Sequence, residues 1–152
     1  MDVQYINAFL GSMQEVFQSL GLGEMTKEKV YKKEKFTCKY DLTTIIGISG
    51  SSKGNVSISM EYDTVKRIAS TMMMGMEVNE INEMSVSAIG EMSNMICGQA
   101  LMKLLEENKN MDITPPTVIH GSDTNILLGR RDTLTVDLDS QMGKLEFNLA
   151  IE

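Results

Sequence analysis

The residues with the clearest chemical potential are Glu91 and Asn94, which lie three positions apart in the segment GEMSNMICG (residues 90–98). A carboxylate accepts hydrogen bonds, whereas an amide both donates and accepts them. Side chains three positions apart on a helix have Cβ atoms about 5–6 Å apart, so the two groups could act on one small target. The spacing therefore indicates a compact polar site, provided that the segment is helical.

The segment lies in the longest predicted helix, residues 83–107, which ends before the Pro115-Pro116 pair. At about 100° per residue, four residues of this helix share a stripe about 60° wide. They are Ser87, Glu91, Asn94 and Gly98. Such a stripe is also what the polar face of any amphipathic helix looks like, so a purely structural role stays open.

Two further observations favour contact with a partner. Between Ser85 and Met102 the only charged residue is Glu91, whereas a solvated helix face usually carries Lys and Arg; this composition suits a protein surface better than water. Gly90 and Gly98 each cost the helix about 1 kcal/mol relative to Ala. We therefore expect another molecule to approach the helix closely at these two glycines.

The remaining elements must position this helix. Apolar residues at helical spacing predict two more helices, at residues 2–20 and 63–74, and the MMMGM cluster that follows is expected to fill the core. The polar stretch at 21–41 has room for one strand. Predicted strands occupy residues 42–49, 55–60, 117–120, 126–129, 133–139 and 144–151. The pattern predicts a single α+β domain, residues 1–152, with helices packed on a largely antiparallel sheet.

A weak internal repeat relates the first helix to the longest one. NAFLG (residues 7–11) aligns with NMICG (residues 94–98), so Asn7 falls on Asn94 and Gln4 falls on Glu91. The match predicts a pseudo-symmetric internal duplication in which the first copy has an amide where the second has a carboxylate.

Composition excludes several function classes. The chain has 152 residues and a net charge of −7, which disfavours binding to nucleic acid or to anionic lipid. Its basic run KEKVYKKEK is expected to be a solvated face. No apolar run approaches the roughly 18 residues of a membrane span. Two cysteines, Cys38 and Cys97, predict buried, reduced thiols in a cytoplasmic protein. His120 is the only histidine, so neither a metal site nor a catalytic triad is expected.

SVSAIGEMSNMICGQA (residues 85–100), with Pro116 lying 22 positions after Asn94, resembles the motif of the CheC/CheX/FliY family of chemotaxis phosphatases. The family pattern is Asp or Ser, three residues, Glu, two residues, Asn, and a proline a little over twenty residues later. Ser87, Glu91, Asn94 and Pro116 fit it. DVQYINAFL, IIGISG, GNVSISM and PPTVIHG extend the likeness along the chain, and its single motif is CheX-like.

The resemblance implies a phosphatase that acts on a phosphorylated CheY-type response regulator without a covalent intermediate. It implies that Asn94 orients the attacking water and that Glu91 pairs with a lysine of the receiver. Magnesium is then expected on the receiver, and this chain binds no cofactor or metal. A homodimer is also implied. One active site per chain is expected, because Gln4 cannot replace the charge of Glu91.

Two other functions are consistent with the same residues. A non-catalytic receiver-binding adaptor or phosphate sink would use the same stripe, and Ser87, where other family members carry Asp, leaves room for it. A plain structural domain would predict that substitutions at Glu91 and Asn94 affect no receiver at all.

Overall fold

The computed structural model describes residues 3–126 and 132–151, and it shows three helices packed on a mostly antiparallel sheet. The helices are α1 (Val3–Ser19), α2 (Tyr62–Met72) and α3 (Glu83–Glu106). The strands are β1 (Met25–Lys33), β2 (Phe36–Cys38), β3 (Leu42–Gly50), β4 (Gly54–Met60), β5 (Met111–Ile113), β6 (Thr117–His120), β7 (Thr124–Ile126), β8 (Thr133–Ser140) and β9 (Gly143–Ile151). The predicted α+β class is confirmed.

The main sheet has seven strands in the order β1-β8-β9-β4-β3-β5, and β6 also pairs with β3. Every pair in it is antiparallel. The loop GSSKG connects β3 and β4 as a hairpin, as the sequence predicts. Strands β2 and β7 form a separate two-stranded sheet.

The helices cover one face of the main sheet and the two-stranded sheet covers part of the other. On the helix side, the ring centroids of Phe9 in α1 and Phe147 in β9 lie 5.9 Å apart within the main core. On the opposite side, Phe36, Ile45 and Ala150 form a smaller apolar cluster. Because side chains alternate along a strand, β9 contributes to both clusters.

The opposite face also holds a buried ion pair. Glu146 is fully buried, and its Oε2 accepts a hydrogen bond of 3.0 Å from Lys33 Nζ. Its Oε1 accepts another from Asn148 Nδ2 at 2.9 Å. Burial of a carboxylate is tolerated here because both of its oxygens have donors.

Strand pairing repeats in the two halves of the chain. The hairpin β3–β4 corresponds to β8–β9, and the pairing of β1 with β8 corresponds to the pairing of β6 with β3. The pairs β4–β9 and β2–β7 then join the two halves, as does the packing of α1 against α3. This pattern supports the predicted internal duplication, in which the edge strand of each half pairs with the hairpin of the other half.

The register of the duplication agrees with the helix alignment. Asn7 and Asn94 are 87 positions apart. The same offset aligns β1 with residues 112–120, which contain β5, Pro115-Pro116 and β6. Strand β1 has a register shift between Lys27 and Lys29, at the position that corresponds to this proline break. One long bulged strand in the first half therefore matches two short strands in the second.

The predicted helix and strand boundaries agree with the structure to within two residues for α2, α3, β3, β4, β6, β8 and β9. Residue 2 of the first predicted helix and residues 127–129 of the predicted strand at 126–129 lie outside the described part of the chain. Within the described part, residues 21–41 hold two strands rather than one, and β5 was not predicted. Strand β1 lacks an alternating apolar pattern because most of its side chains are exposed at the edge of the sheet.

The prediction that the MMMGM cluster fills the core is wrong for two of its residues. Met74 is 98% exposed and Met76 is 59% exposed, because both follow the end of α2 in a turn. Cys38 and Cys97, in contrast, are both buried free thiols, as predicted.

Candidate active site

Helix α3 begins with a reciprocal pair of hydrogen bonds at its N-terminus. Asn82 Oδ1 accepts a hydrogen bond from the Ser85 backbone N–H at 3.0 Å, and Ser85 Oγ accepts one from the Asn82 N–H at 2.9 Å. This reciprocal capping box satisfies two donors that a helix N-terminus otherwise leaves unpaired. The helix then buries one face, which comprises Ile89, Met92, Ile96, Cys97, Ala100 and Leu104.

Two contacts hold the middle of α3 against the sheet. Ser93 Oγ and Thr44 Oγ1 are 2.7 Å apart, and each residue is only 1% exposed. Gly90 is buried, and a Cβ placed there would lie 3.5 Å from Pro116 Cγ. Gly90 and Ser93 are buried on the side of α3 that faces the core. Glu91 and Asn94 are exposed and therefore point away from the core.

The structure brings the predicted polar residues to one surface. Ser87, Glu91 and Asn94 are exposed on successive turns of α3, which is the stripe that the sequence predicts. Gly98 continues the stripe, and a Cβ there would meet no atom within 4 Å. Gly90, in contrast, is buried beneath this surface, which does not agree with the expectation that another molecule approaches the helix there.

Sequence reasoning missed three exposed apolar residues on the same stripe. Met84, Met102 and Leu105 are 60%, 71% and 57% exposed. They extend the spacing of three and four residues at both ends of the polar stripe. Continuing that spacing beyond Ser87 and Gly98 would have found them. We use the name α3 face for Met84, Ser87, Glu91, Asn94, Gly98, Met102 and Leu105.

The corresponding surface of α1 is partly covered by α3. Gln4, the counterpart of Glu91, donates a hydrogen bond of 3.2 Å from Nε2 to Glu107 Oε2. A Cβ placed at Gly11, the counterpart of Gly98, would lie 3.1 Å from Lys103 Nζ. Lys103 in turn forms an ion pair of 2.8 Å with Glu15. A lysine side chain thus approaches Gly11, whereas a Cβ at Gly98 would meet no atom within 4 Å.

Other candidate chemistry does not converge on the α3 face. Cys97 lies on the buried side of α3, and burial raises its pKa to about 12, so its thiol is a poor nucleophile near neutral pH. His120 is exposed on β6, where its Nδ1 lies 3.0 Å from the Tyr62 hydroxyl. Among residues 3–126 and 132–151, no group of three or more His, Cys, Asp or Glu side chains could hold a metal ion.

The α3 face thus offers positioned polar groups without an internal nucleophile. A carboxylate at Glu91 can pair with a cation, and an amide at Asn94 can hold a water molecule by donating and accepting at once. Such a pair suits reactions that depend on orientation and charge neutralisation.

Comparisons with known proteins show the family of this chain. The family model of the chemotaxis phosphatase CheX matches residues 42–139, a span that includes α3 and Pro116. The CheY-P phosphatase CheX of Thermotoga maritima is 38% identical over 126 residues, which cover 83% of this chain and 81% of that protein. This chain belongs to the CheX family. The resemblance found in the sequence is thereby confirmed.

Solved structures of CheX and CheC-like proteins share the fold. A CheC-like superfamily protein from Shewanella sp. PV-4 superposes with a TM-score of 0.89 at 27% identity, covering 100% of this chain and 99% of that one. A chain of the CheX-CheY-BeF3-Mg2+ complex from Borrelia burgdorferi superposes with a TM-score of 0.77 at 26% identity, covering 97% of both chains. No helix in the described part of this chain is both long enough and apolar enough to cross a membrane.

Proposed function

We propose that this chain is a phosphatase that accelerates hydrolysis of the aspartyl phosphate of a CheY-type response regulator. The observation that carries the proposal is the exposure of Glu91 and Asn94, one turn apart, on a helix that Ser93 links to the sheet through a buried hydrogen bond to Thr44. Membership of the CheX family and the 38% identity to a CheY-P phosphatase support the same activity.

In the proposed mechanism Asn94 enters the active site of the receiver and orients a water molecule for in-line attack on phosphorus. The P–O bond to the receiver aspartate breaks, the carboxylate leaves with the bonding electrons, and the water proton passes to the phosphate product. Phosphoryl transfer depends chiefly on positioning and charge stabilisation, so an amide can serve without a general base.

Glu91 is proposed to pair with a lysine of the receiver and to hold the complex in register. A charged pair at an interface contributes orientation and association rate as well as affinity. Magnesium is proposed to belong to the receiver; the Borrelia burgdorferi complex is described as holding CheX, CheY, BeF3 and Mg2+ together. This chain would then supply no metal ligand and bind no cofactor.

The remaining stripe residues are proposed to support docking. Ser87 would contact the receiver, and the open space at Gly98 would admit its surface. Gly90 is buried beneath the surface that carries Glu91, so it would not contact the receiver directly. The amide of Gln4 in place of the Glu91 carboxylate supports one active site per chain.

A homodimer and a cytoplasmic location are part of the proposal. Among the described residues, β1 ends the main sheet on one side and β5 and β6 end it on the other, so each side offers a strand for pairing with a second copy. The two free cysteines suit a reducing compartment.

A receiver-binding adaptor or phosphate sink is the second candidate. It is favoured by Ser87, which stands where other family members carry Asp. Binding of a phosphorylated receiver without faster phosphate release would select this function over catalysis.

The deciding experiment measures receiver dephosphorylation with wild-type protein and with Asn94→Ala. The variant is expected to bind the phosphorylated receiver but to lose at least about 100-fold in rate at saturation, the range typical of removing one positioned group. Wild-type rates for Asn94→Ala would contradict the assignment of Asn94, and no acceleration by wild-type protein would contradict the phosphatase activity.

A further inference from the structure

A second feature of the surface lies at the N-terminal end of α3. The loop between α2 and α3 and the first turn of α3 form a groove with four apolar lining residues, which we name the methionine groove. They are Met73, Met76, Val78 and Met84. Glu77 and Glu80 also line it. Asn79 and Asn82 line it as well, so the groove combines methionine side chains with polar ones, and Glu77 and Glu80 form what we call its acidic rim.

The loop beside the groove has a fixed backbone. Met74 has a φ of 60°, in the left-handed region where a residue with a Cβ is disfavoured. Its N–H donates to Thr71 O at 3.2 Å, and the Gly75 N–H donates to Ser70 O at 2.8 Å. A methionine that is 98% exposed in such a turn packs little in this chain, which is unusual for a large apolar side chain.

The methionine groove is continuous with the α3 face. Met84 belongs to both, and it lies seven residues before Glu91, a rise of about 10 Å along the helix. A standard protein interface buries about 800 Å² on each partner, which is wide enough to include the groove together with Glu91 and Asn94. Methionine side chains adapt readily to the shape of a partner.

We propose that the methionine groove is a specificity site for the receiver, which inserts an apolar side chain flanked by Lys or Arg. This inference rests on the proposed phosphatase function. The acidic rim complements a basic partner surface, and it opposes two other occupants. A second copy docked symmetrically through the groove would place Glu77 and Glu80 against their own equivalents, and an anionic membrane would be repelled.

The test measures the Kd of a CheY-type receiver charged with beryllofluoride and Mg2+, since this stable phosphate analogue separates docking from turnover. Met84→Glu and Met76→Glu place a charge in the groove at positions that are 60% and 59% exposed, so folding should be preserved. Each is expected to raise Kd by about fivefold or more. Glu80→Lys reverses a charge on the acidic rim and should therefore also raise Kd.

Val3→Glu is the matched control, because Val3 is 65% exposed and the Gln4–Glu107 hydrogen bond places it at the opposite end of α3. Its Kd should equal that of wild type. The inference is overturned if Met84→Glu and Met76→Glu bind as tightly as wild type, or if Val3→Glu weakens binding equally. In either case loss of turnover in Asn94→Ala would leave the proposed function standing. A wild-type protein that neither binds nor dephosphorylates the receiver would overturn both.

Discussion

Thr44 on β3 and Ser93 on α3 share a buried hydrogen bond of 2.7 Å between their hydroxyl oxygens, although 49 positions separate them in sequence. Ser93 lies directly before Asn94, about 100° around the helix, and is buried where Asn94 is exposed. The bond therefore links the sheet to the orientation of the proposed catalytic amide.

Removing one hydroxyl of this pair should reduce both stability and rate. Ser93→Ala or Thr44→Val leaves a buried hydroxyl without its partner, at a cost of about 1–3 kcal/mol in the free energy of unfolding. We also expect the dephosphorylation rate at saturating receiver to fall, because α3 is then less firmly oriented. Urea denaturation and single-turnover kinetics measure the two effects. The double variant should lose less stability than the two single losses combined, and strict additivity would argue against a direct pair.

Glu91→Gln should weaken the complex through the loss of charge alone. The amide keeps the shape of the side chain but cannot pair with a receiver lysine, so we expect a higher Kd that depends less on salt than that of wild type. Titrations at two ionic strengths provide the measurement. Glu34→Gln is a suitable control, since Glu34 is exposed in the turn before β2, on the side of the sheet away from the helices. An identical salt dependence in Glu91→Gln and wild type would exclude the proposed ion pair.

Gly98 allows a graded test of clearance at the α3 face. No atom lies within 4 Å of a Cβ at this position, so Gly98→Ala should raise the free energy of unfolding by about 1 kcal/mol through helix propensity. Gly98→Leu and Gly98→Trp should stay folded but raise the Kd for the receiver in order of size. Thermal unfolding and binding titrations follow the two properties separately. A Kd that does not change with side-chain volume would show that the receiver does not approach Gly98.

The ion pair between Lys33 and Glu146 should matter for stability and not for activity. Lys33→Met leaves a fully buried carboxylate without its cation, and we expect a loss of about 3 kcal/mol in the free energy of unfolding. The double variant Lys33→Met with Glu146→Leu should recover most of that loss, because both charges are removed together. Receiver dephosphorylation should be unaffected below the unfolding transition, since the pair lies on the face of the sheet opposite the helices. Equal stability of the single and double variants would contradict this account.

Much of this arrangement follows from local sequence patterns. Helix α3 was predictable because its apolar periodicity and its break before Pro115 are local signals, and the stripe through Glu91 and Asn94 follows from helical period alone. Strand β1 was not predictable, because most of its side chains are exposed and its sequence therefore lacks the alternating apolar pattern of a strand. The contact of Thr44 with Ser93 and that of Gly90 with Pro116 depend on how distant segments pack, which periodicity does not encode. The exposed methionines were misassigned because composition cannot distinguish a core filler from a surface anchor.

The exchange of edge strands between the two halves has a consequence for folding. Strand β1 pairs with β8 across at least 100 positions, from Lys33↔Thr133 to Met25↔Ser140. Contact order of this kind slows folding, because a long loop must close before the pairing stabilises it. During synthesis, α1 and β1 leave the ribosome well before their partner strand exists. Each half of the duplication thus lacks one strand of its own hairpin sheet until the other half has been synthesised.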